Sequence, residues 1–114
     1  MIPNMAQERR EEGWAMKETF WIQHHRNSES LHLRLMGVFD REAALLLMEA
    51  LNENRARVSK IFVHTGALDQ VLDPGVELFR SSLGSLDRLG ADIIFTGKKG
   101  EEFAVKAPGI RFIK

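Results

Sequence analysis

Cysteine is absent from the 114-residue chain. That absence removes disulfides, thiolate metal sites and thiol nucleophiles together, and it fits a cytosolic setting. An excess of charge of either sign is absent as well: Lys plus Arg number 16 and Asp plus Glu 16, so the formal net charge is zero. Nucleic-acid binding asks for a basic surplus gathered on one face, and the composition offers none. No apolar run approaches the length that spans a bilayer, and no charged-then-apolar leader opens the chain. What is present is an ordinary globular composition, 44% hydrophobic and 28% charged, with room for one domain and one core. No internal repeat or low-complexity stretch interrupts it.

The chain divides into a flexible arm over residues 1–16 and a domain over residues 17–114. Gln7-Glu8-Arg9-Arg10-Glu11-Glu12 is a dense mixed-charge run with no apolar face to bury, the pattern of a solvated tail. Trp14 and Met16 are placed to anchor its end, and Met16 is an alternative start.

Regular patterning begins at Lys17. Thr19 to Arg26 and Leu31 to Val38 read as two strands joined through Asn27-Ser28-Glu29-Ser30, a hairpin by its polar turn. In the second strand Leu31, Leu33 and Leu35 face one way and His32, Arg34 and Met36 the other. Pairing Arg26 with Leu31 sets Ile22 opposite Leu35 on the core face. The same register sets Trp21 opposite Met36 and His25 opposite His32 on the outer face. Asp40 caps a helix whose stripe is Ala44, Leu47, Met48 and Leu51. Leu45 and Leu46 broaden that stripe, which predicts contact with both the sheet and a neighbouring helix.

Ile61-Phe62-Val63 is a short continuous apolar run of the kind a central strand shows. A loop from Thr65 to Leu72, a helix from Pro74 to Leu89 stopped by Gly90, and a strand at Ile93-Ile94-Phe95 follow. The second helix buries Val76, Phe79, Leu83 and Leu86. A short helix around Glu102 to Ala107 and a strand from Ile110 to Ile113 finish the chain. The order β-β-α-β-α-β-α-β predicts an α/β domain. Its sheet is mixed and mostly parallel, reached by right-handed crossovers, with the N-terminal hairpin antiparallel.

Asp73-Pro74-Gly75 stands where a strand-end loop hands over to a helix. Asp is a favoured N-cap, because its carboxylate accepts orphan N–H groups, and Pro has no N–H to leave orphaned. The same place is where open α/β sheets gather their sites. Gly97-Lys98-Lys99 fails as a phosphate loop: Asp92 stands where the earlier Gly is needed, and no Ser or Thr follows the Lys. His25 and His32 have no third ligand, so no metal and no cofactor are expected. His64 ends the central strand, near Asp69, Asp73 and Glu77, the one place an acid–base cluster could form. No nucleophile-elbow spacing accompanies it, and the chain is read as non-enzymatic. A receiver domain of the two-component kind is excluded, because its phosphorylatable Asp would fall where His64-Thr65 ends the central strand.

Leu35-Met36-Gly37-Val38-Phe39-Asp40, Ile61-Phe62-Val63, Leu72-Asp73-Pro74-Gly75-Val76 and Ile93-Ile94-Phe95-Thr96-Gly97 together resemble the STAS domain, the fold of bacterial anti-sigma factor antagonists. The likeness covers Lys17 to Lys114 and rests on pattern more than identity. It implies a β-α superhelix with helices mainly on one sheet face, leaving Trp21 and Met36 on the barer face. It also implies a bacterial, cytoplasmic signalling protein that acts on transcription by binding an anti-sigma factor that is also a serine kinase. In that family the loop before the second helix reads Asp-Ser-Ser-Gly followed by an aliphatic residue, and the first Ser is phosphorylated. Aligning Gly75 with the motif's Gly places Leu72 at the Asp, Asp73 at the phosphorylated Ser and Pro74 at the second Ser. Asp73 has no hydroxyl, so the usual switch cannot run there.

Partner-binding residues implied by this alignment are Asp73, Pro74, Gly75, Glu77, Leu78, Arg80 and Ser81, with Trp21 and Met36 as a second, outer-face patch. Family members continue into a final helix that this sequence lacks. The surface it would cover is expected to be shielded by the arm or by a second copy of the domain, as a homodimer. Two other readings compete: a STAS-like accessory subunit of an ABC-type lipid transport system, and a small-ligand-binding or catalytic domain using His64, Asp69 and Asp73.

Overall fold

The computed structural model describes residues 12–17, 19–54, 56–82, 92–106 and 111–113. In chain order the elements are β1 (Glu12–Lys17), β2 (Phe20–Arg26), β3 (Ser30–Phe39), α1 (Arg41–Asn54), β4 (Lys60–Val71), α2 (Asp73–Ser82), β5 (Asp92–Thr96), α3 (Gly100–Lys106) and β6 (Arg111–Ile113). They build one six-stranded sheet in the order β1-β2-β3-β4-β5-β6. The first two pairings are antiparallel and the last three parallel. A chain that turns twice by hairpin and then crosses over three times by helix gives this arrangement.

The hairpin register is the predicted one. Arg26 lies opposite Leu31, Ile22 opposite Leu35, His25 opposite His32 and Trp21 opposite Met36. Burial alternates along β3, with Leu31, Leu33, Leu35 and Phe39 buried. These residues meet Phe20 and Ile22 of β2, Ile61 and Val63 of β4, and the inward stripe of α1: Ala43, Ala44, Leu47, Ala50 and Leu51. Val76 and Phe79 of α2 and Phe103 of α3 complete the same core. Phe103 sits edge-on to Phe39 at 4.8 Å and to Phe79 at 5.9 Å, and stacks on Phe95 at 4.8 Å. All three helices therefore pack on one face of the sheet, and the other face carries no helix among the described residues.

Several sequence expectations are corrected. The arm does not extend to residue 16, because Glu12–Lys17 is β1, paired antiparallel with Phe20 to His25 of β2. The charged run ends at Glu12, and the next residues meet a β2 edge whose backbone groups are otherwise unpaired, a template for one more strand. Residues 1–11 lie outside the described residues. The loop expected from Thr65 to Leu72 is instead the second half of β4, since β3 runs on to Phe39 and offers a parallel partner for Ala67, Leu68, Gln70 and Val71. Two register shifts, between Arg34 and Met36 and between Gly37 and Val38, break the alternation that would have marked a strand. α1 does pack on both the sheet and α2, with Leu46 partly buried against the core, but Leu45 is not part of that face; it is 57% exposed. The second helix is described as far as Ser82, so Leu83 and Leu86 lie outside the described residues, as do Ala107 and Ile110.

Asp40 caps α1 as predicted: the Ala43 N–H donates to its carboxylate at 2.9 Å, and the Ala44 N–H to its carbonyl at 3.0 Å. Asp73 is not a cap. The Gly75 and Val76 N–H groups donate to the Leu72 carbonyl at 3.0 and 3.2 Å, which makes Leu72 the capping position and Asp73 the first helical residue.

Candidate functional site

The β4–α2 junction is positioned by two close approaches. The Leu72 N–H donates to the Phe39 carbonyl at 3.0 Å, tying the end of β4 to the end of β3. Gly75 then lies against the same turn: a Cβ there would fall 2.6 Å from the Asp40 carbonyl oxygen and 2.8 Å from that of Phe39. Its missing side chain lets the start of α2 sit directly on the start of α1. Gly75 and Val76 are buried as a result, while Leu72, Asp73, Pro74 and Glu77 are exposed.

Beyond the first turn the exposed residues are Glu77, Arg80 and Ser81. The Arg80 guanidinium donates to the Glu77 carboxylate at 2.6 Å, and that bond raises the arginine pKa further. The Ser81 and Ser82 hydroxyls both donate back to the Leu78 carbonyl, at 3.0 and 2.8 Å, so both are engaged with their own helix. Leu78 is half-buried against the core and Phe79 fully buried. Of the residues named from sequence, Asp73, Pro74, Glu77, Arg80 and Ser81 thus share an exposed surface, while Gly75 and Leu78 support it from beneath.

The exposure of two apolar side chains on the described surface is not evident from the sequence. Leu72 is 38% exposed and directly precedes Asp73. Leu45 lies on the outward side of α1, where Glu42, Leu45, Leu46 and Glu49 line a shallow depression of about 390 Å³. Their spacing of three, one and three residues is a helix stripe, but the richness of α1 in leucine hid which stripe faces out.

His64 does not meet the carboxylates expected of an acid–base site. Its Nε2 is 2.9 Å from His32 Nδ1 and its Nδ1 is 2.6 Å from Thr96 Oγ1, so both ring nitrogens are occupied by the sheet face. Among the described residues no group of three or more His, Asp or Glu side chains is placed to hold a metal ion. Burial, and after it the neighbouring His32 and Arg34, lowers the His64 pKa. Burial and then His25 lower that of His32. The Gly97-Lys98-Lys99 segment is a turn: the Gly100 N–H donates to the Gly97 carbonyl at 3.0 Å, and Gly97 holds a φ of 95°. A Cβ at Gly97 would meet the Gly66 nitrogen at 2.7 Å. Trp21 and Met36 are half-buried on the helix-free face. No described helix is long and apolar enough to cross a membrane.

No profile of a known protein family matches the chain, and no curated protein matches it in sequence. Solved structures do match. An uncharacterized protein of the DUF3478 family with a SpoIIAA-like fold, from Shewanella loihica, aligns at a TM-score of 0.54 and 14% identity, over 90% of this chain and 92% of that one. The anti-sigma factor antagonist SpoIIAA in its unphosphorylated form aligns at a TM-score of 0.59 and 18% identity, over 82% of this chain and 88% of that one. Sheet order, hairpin and one-sided helices agree with that likeness: the chain has the SpoIIAA-like, STAS fold.

Proposed function

We propose that this chain is a non-catalytic regulatory module that binds a protein partner through the Leu72-Asp73-Pro74 turn and the exposed residues Glu77, Arg80 and Ser81 of α2. The observation that carries the reading is Asp73, which stands exposed in the first turn of α2, where the resemblance puts the phosphorylated serine. Its carboxylate carries about one negative charge, against roughly 1.5 to 2 for a phosphoserine. A fixed negative charge is stabilised at a helix N-terminus, so Asp73 is a standing partial mimic of the modified state. The module works in the cytoplasm of a bacterium, on a partner resembling a serine-kinase anti-sigma factor, and without a phosphorylation cycle at this position.

The test is binding of the wild type, Asp73→Ser and Asp73→Ala to the kinase-type anti-sigma factor of the same organism, with phosphate incorporation followed in parallel. Asp73→Ser is expected to bind more tightly than the wild type until it gains phosphate. Equal affinity for all three, with no phosphate gained by the serine variant, would refute the mimic. A homodimer belongs to the same reading, and sedimentation across a wide concentration range tests it. The catalytic reading loses support, because the His64 nitrogens are already bonded to His32 and Thr96.

A further inference from the structure

The helix-free face carries a polar chain that runs across three parallel strands. Thr96 on β5, His64 on β4 and His32 on β3 are joined by contacts of 2.6 Å and 2.9 Å. The rings of His32 and His64 are nearly parallel, 5.1 Å between centroids, and His32 also stacks on Phe62 at 4.9 Å. Strand pairing sets this geometry: Arg34 faces His64, His64 faces Thr96, and His32 faces Phe62.

A nitrogen-to-nitrogen contact of 2.9 Å is a hydrogen bond only when one ring offers N–H and the other a lone pair. With both rings neutral this is satisfied in either direction, and Thr96 Oγ1 donates or accepts to match. With one proton added it is still satisfied, because the charged ring donates to the neutral one. A second proton sets N–H against N–H and two positive charges side by side. Among the described residues the charged or titratable groups that act on the pair are Arg34 on β3 and His25, opposite His32 on β2, while Lys60 and Asp92 face each other farther along β4 and β5 and Glu12 on β1 pairs with His25. Phe62 on β4 and Ile94 and Thr96 on β5 are uncharged, and α1, α2 and α3 pack on the far face.

We infer that the Thr96–His64–His32 chain is a proton-limited clamp across β3, β4 and β5, closed with none or one proton on its two rings and opened by the second. Opening removes a side-chain tie across β4, the strand that runs on to Val71 and delivers the chain to α2, while its backbone pairing with β3 and β5 remains. Because both rings lie among neutral or positive neighbours, the burial-lowered affinities of His32 and His64 for protons act in the same direction as this geometry.

The test is a ring-nitrogen NMR titration of the ¹⁵N-labelled full chain from about pH 8 to about pH 5, the range in which histidine changes charge. Expected are two separate uptake steps for the His32–His64 pair, with binding constants about tenfold or more apart. The Thr65 and Thr96 amides should shift with the second step. In His32→Phe, which keeps a ring against Phe62, His64 is expected to titrate in one step closer to its ordinary value. Uptake of both protons by the wild-type pair in a single step, with the Thr65 and Thr96 amides unmoved, would overturn the inference. The wild-type titration decides this even where the variant does not fold.

Discussion

Replacing Gly75 with alanine sets two calculable effects against each other. Glycine inside a helix costs roughly 0.5–1 kcal/mol relative to alanine, so propensity alone predicts stabilisation. The added Cβ, however, would lie 2.6 Å from the Asp40 oxygen, 2.8 Å from the Asp40 carbon and 2.8 Å from the Phe39 oxygen. All three are backbone atoms, so no side chain can swing aside, and α2 has to lift from the start of α1. Overpacking of this kind costs about 1–3 kcal/mol. Sterics win, for a net loss of about 1–2 kcal/mol, or a fall in melting temperature of about 4–8 °C per kcal/mol in a domain near this size. Urea and thermal unfolding read this directly. Gly66→Ala is the matched control, since a Cβ there meets nothing within 4 Å. It is expected to stay within about 0.5 kcal/mol of the wild type. A Gly75→Ala protein as stable as the wild type, or more so, would refute the packing of α2 on the β3–α1 turn.

Asp40→Ala removes the carboxylate that accepts the Ala43 N–H at 2.9 Å and is expected to cost about 1 kcal/mol, read from the urea midpoint. Phe103→Ala empties the position that joins Phe39, Phe79 and Phe95, for a loss of about 3–5 kcal/mol and visible thermal destabilisation. The domain is expected to lose stability in acid. His24 and His32 are held below the ordinary value of 6.5 by burial, as is His64, so below that pH the unfolded chain binds more protons than the folded one. The loss accrues as pH falls from 6.5 through the lowered folded values, and urea midpoints across that window check it. His24 Nε2 is buried without a hydrogen-bond partner, so His24→Leu is expected to gain about 1 kcal/mol and flatten part of that dependence.

Local chemistry made the hairpin legible down to its register, because Leu31, Leu33 and Leu35 alternate without a break and the turn fixes the pairing. The second half of β4 was not legible. Its two register shifts against β3 destroy the period-two pattern, so Thr65 to Leu72 resembles a loop. Asp73-Pro74-Gly75 was recognised as a helix start, but which residue caps it depends on where the Leu72 carbonyl points, and that is set by its tie to Phe39. The reason for Gly75 was also hidden: it is an approach to Asp40, far away in sequence, with no demand on its own φ. His64 drew notice for its acidic neighbours along the chain. Strand pairing gave it His32 and Thr96 instead, each 32 residues away.

Site-specific photo-crosslinking in the native host bears most directly on the binding role. A crosslinking residue is placed singly at Asp73, Glu77 or Arg80, and in comparison at Arg57 or Lys98, away from the proposed surface. A module that docks through the start of α2 gives one discrete protein adduct from positions 73, 77 and 80, and little from the others. Adducts of equal yield from all five positions, or from positions 57 and 98 alone, would contradict docking at Asp73.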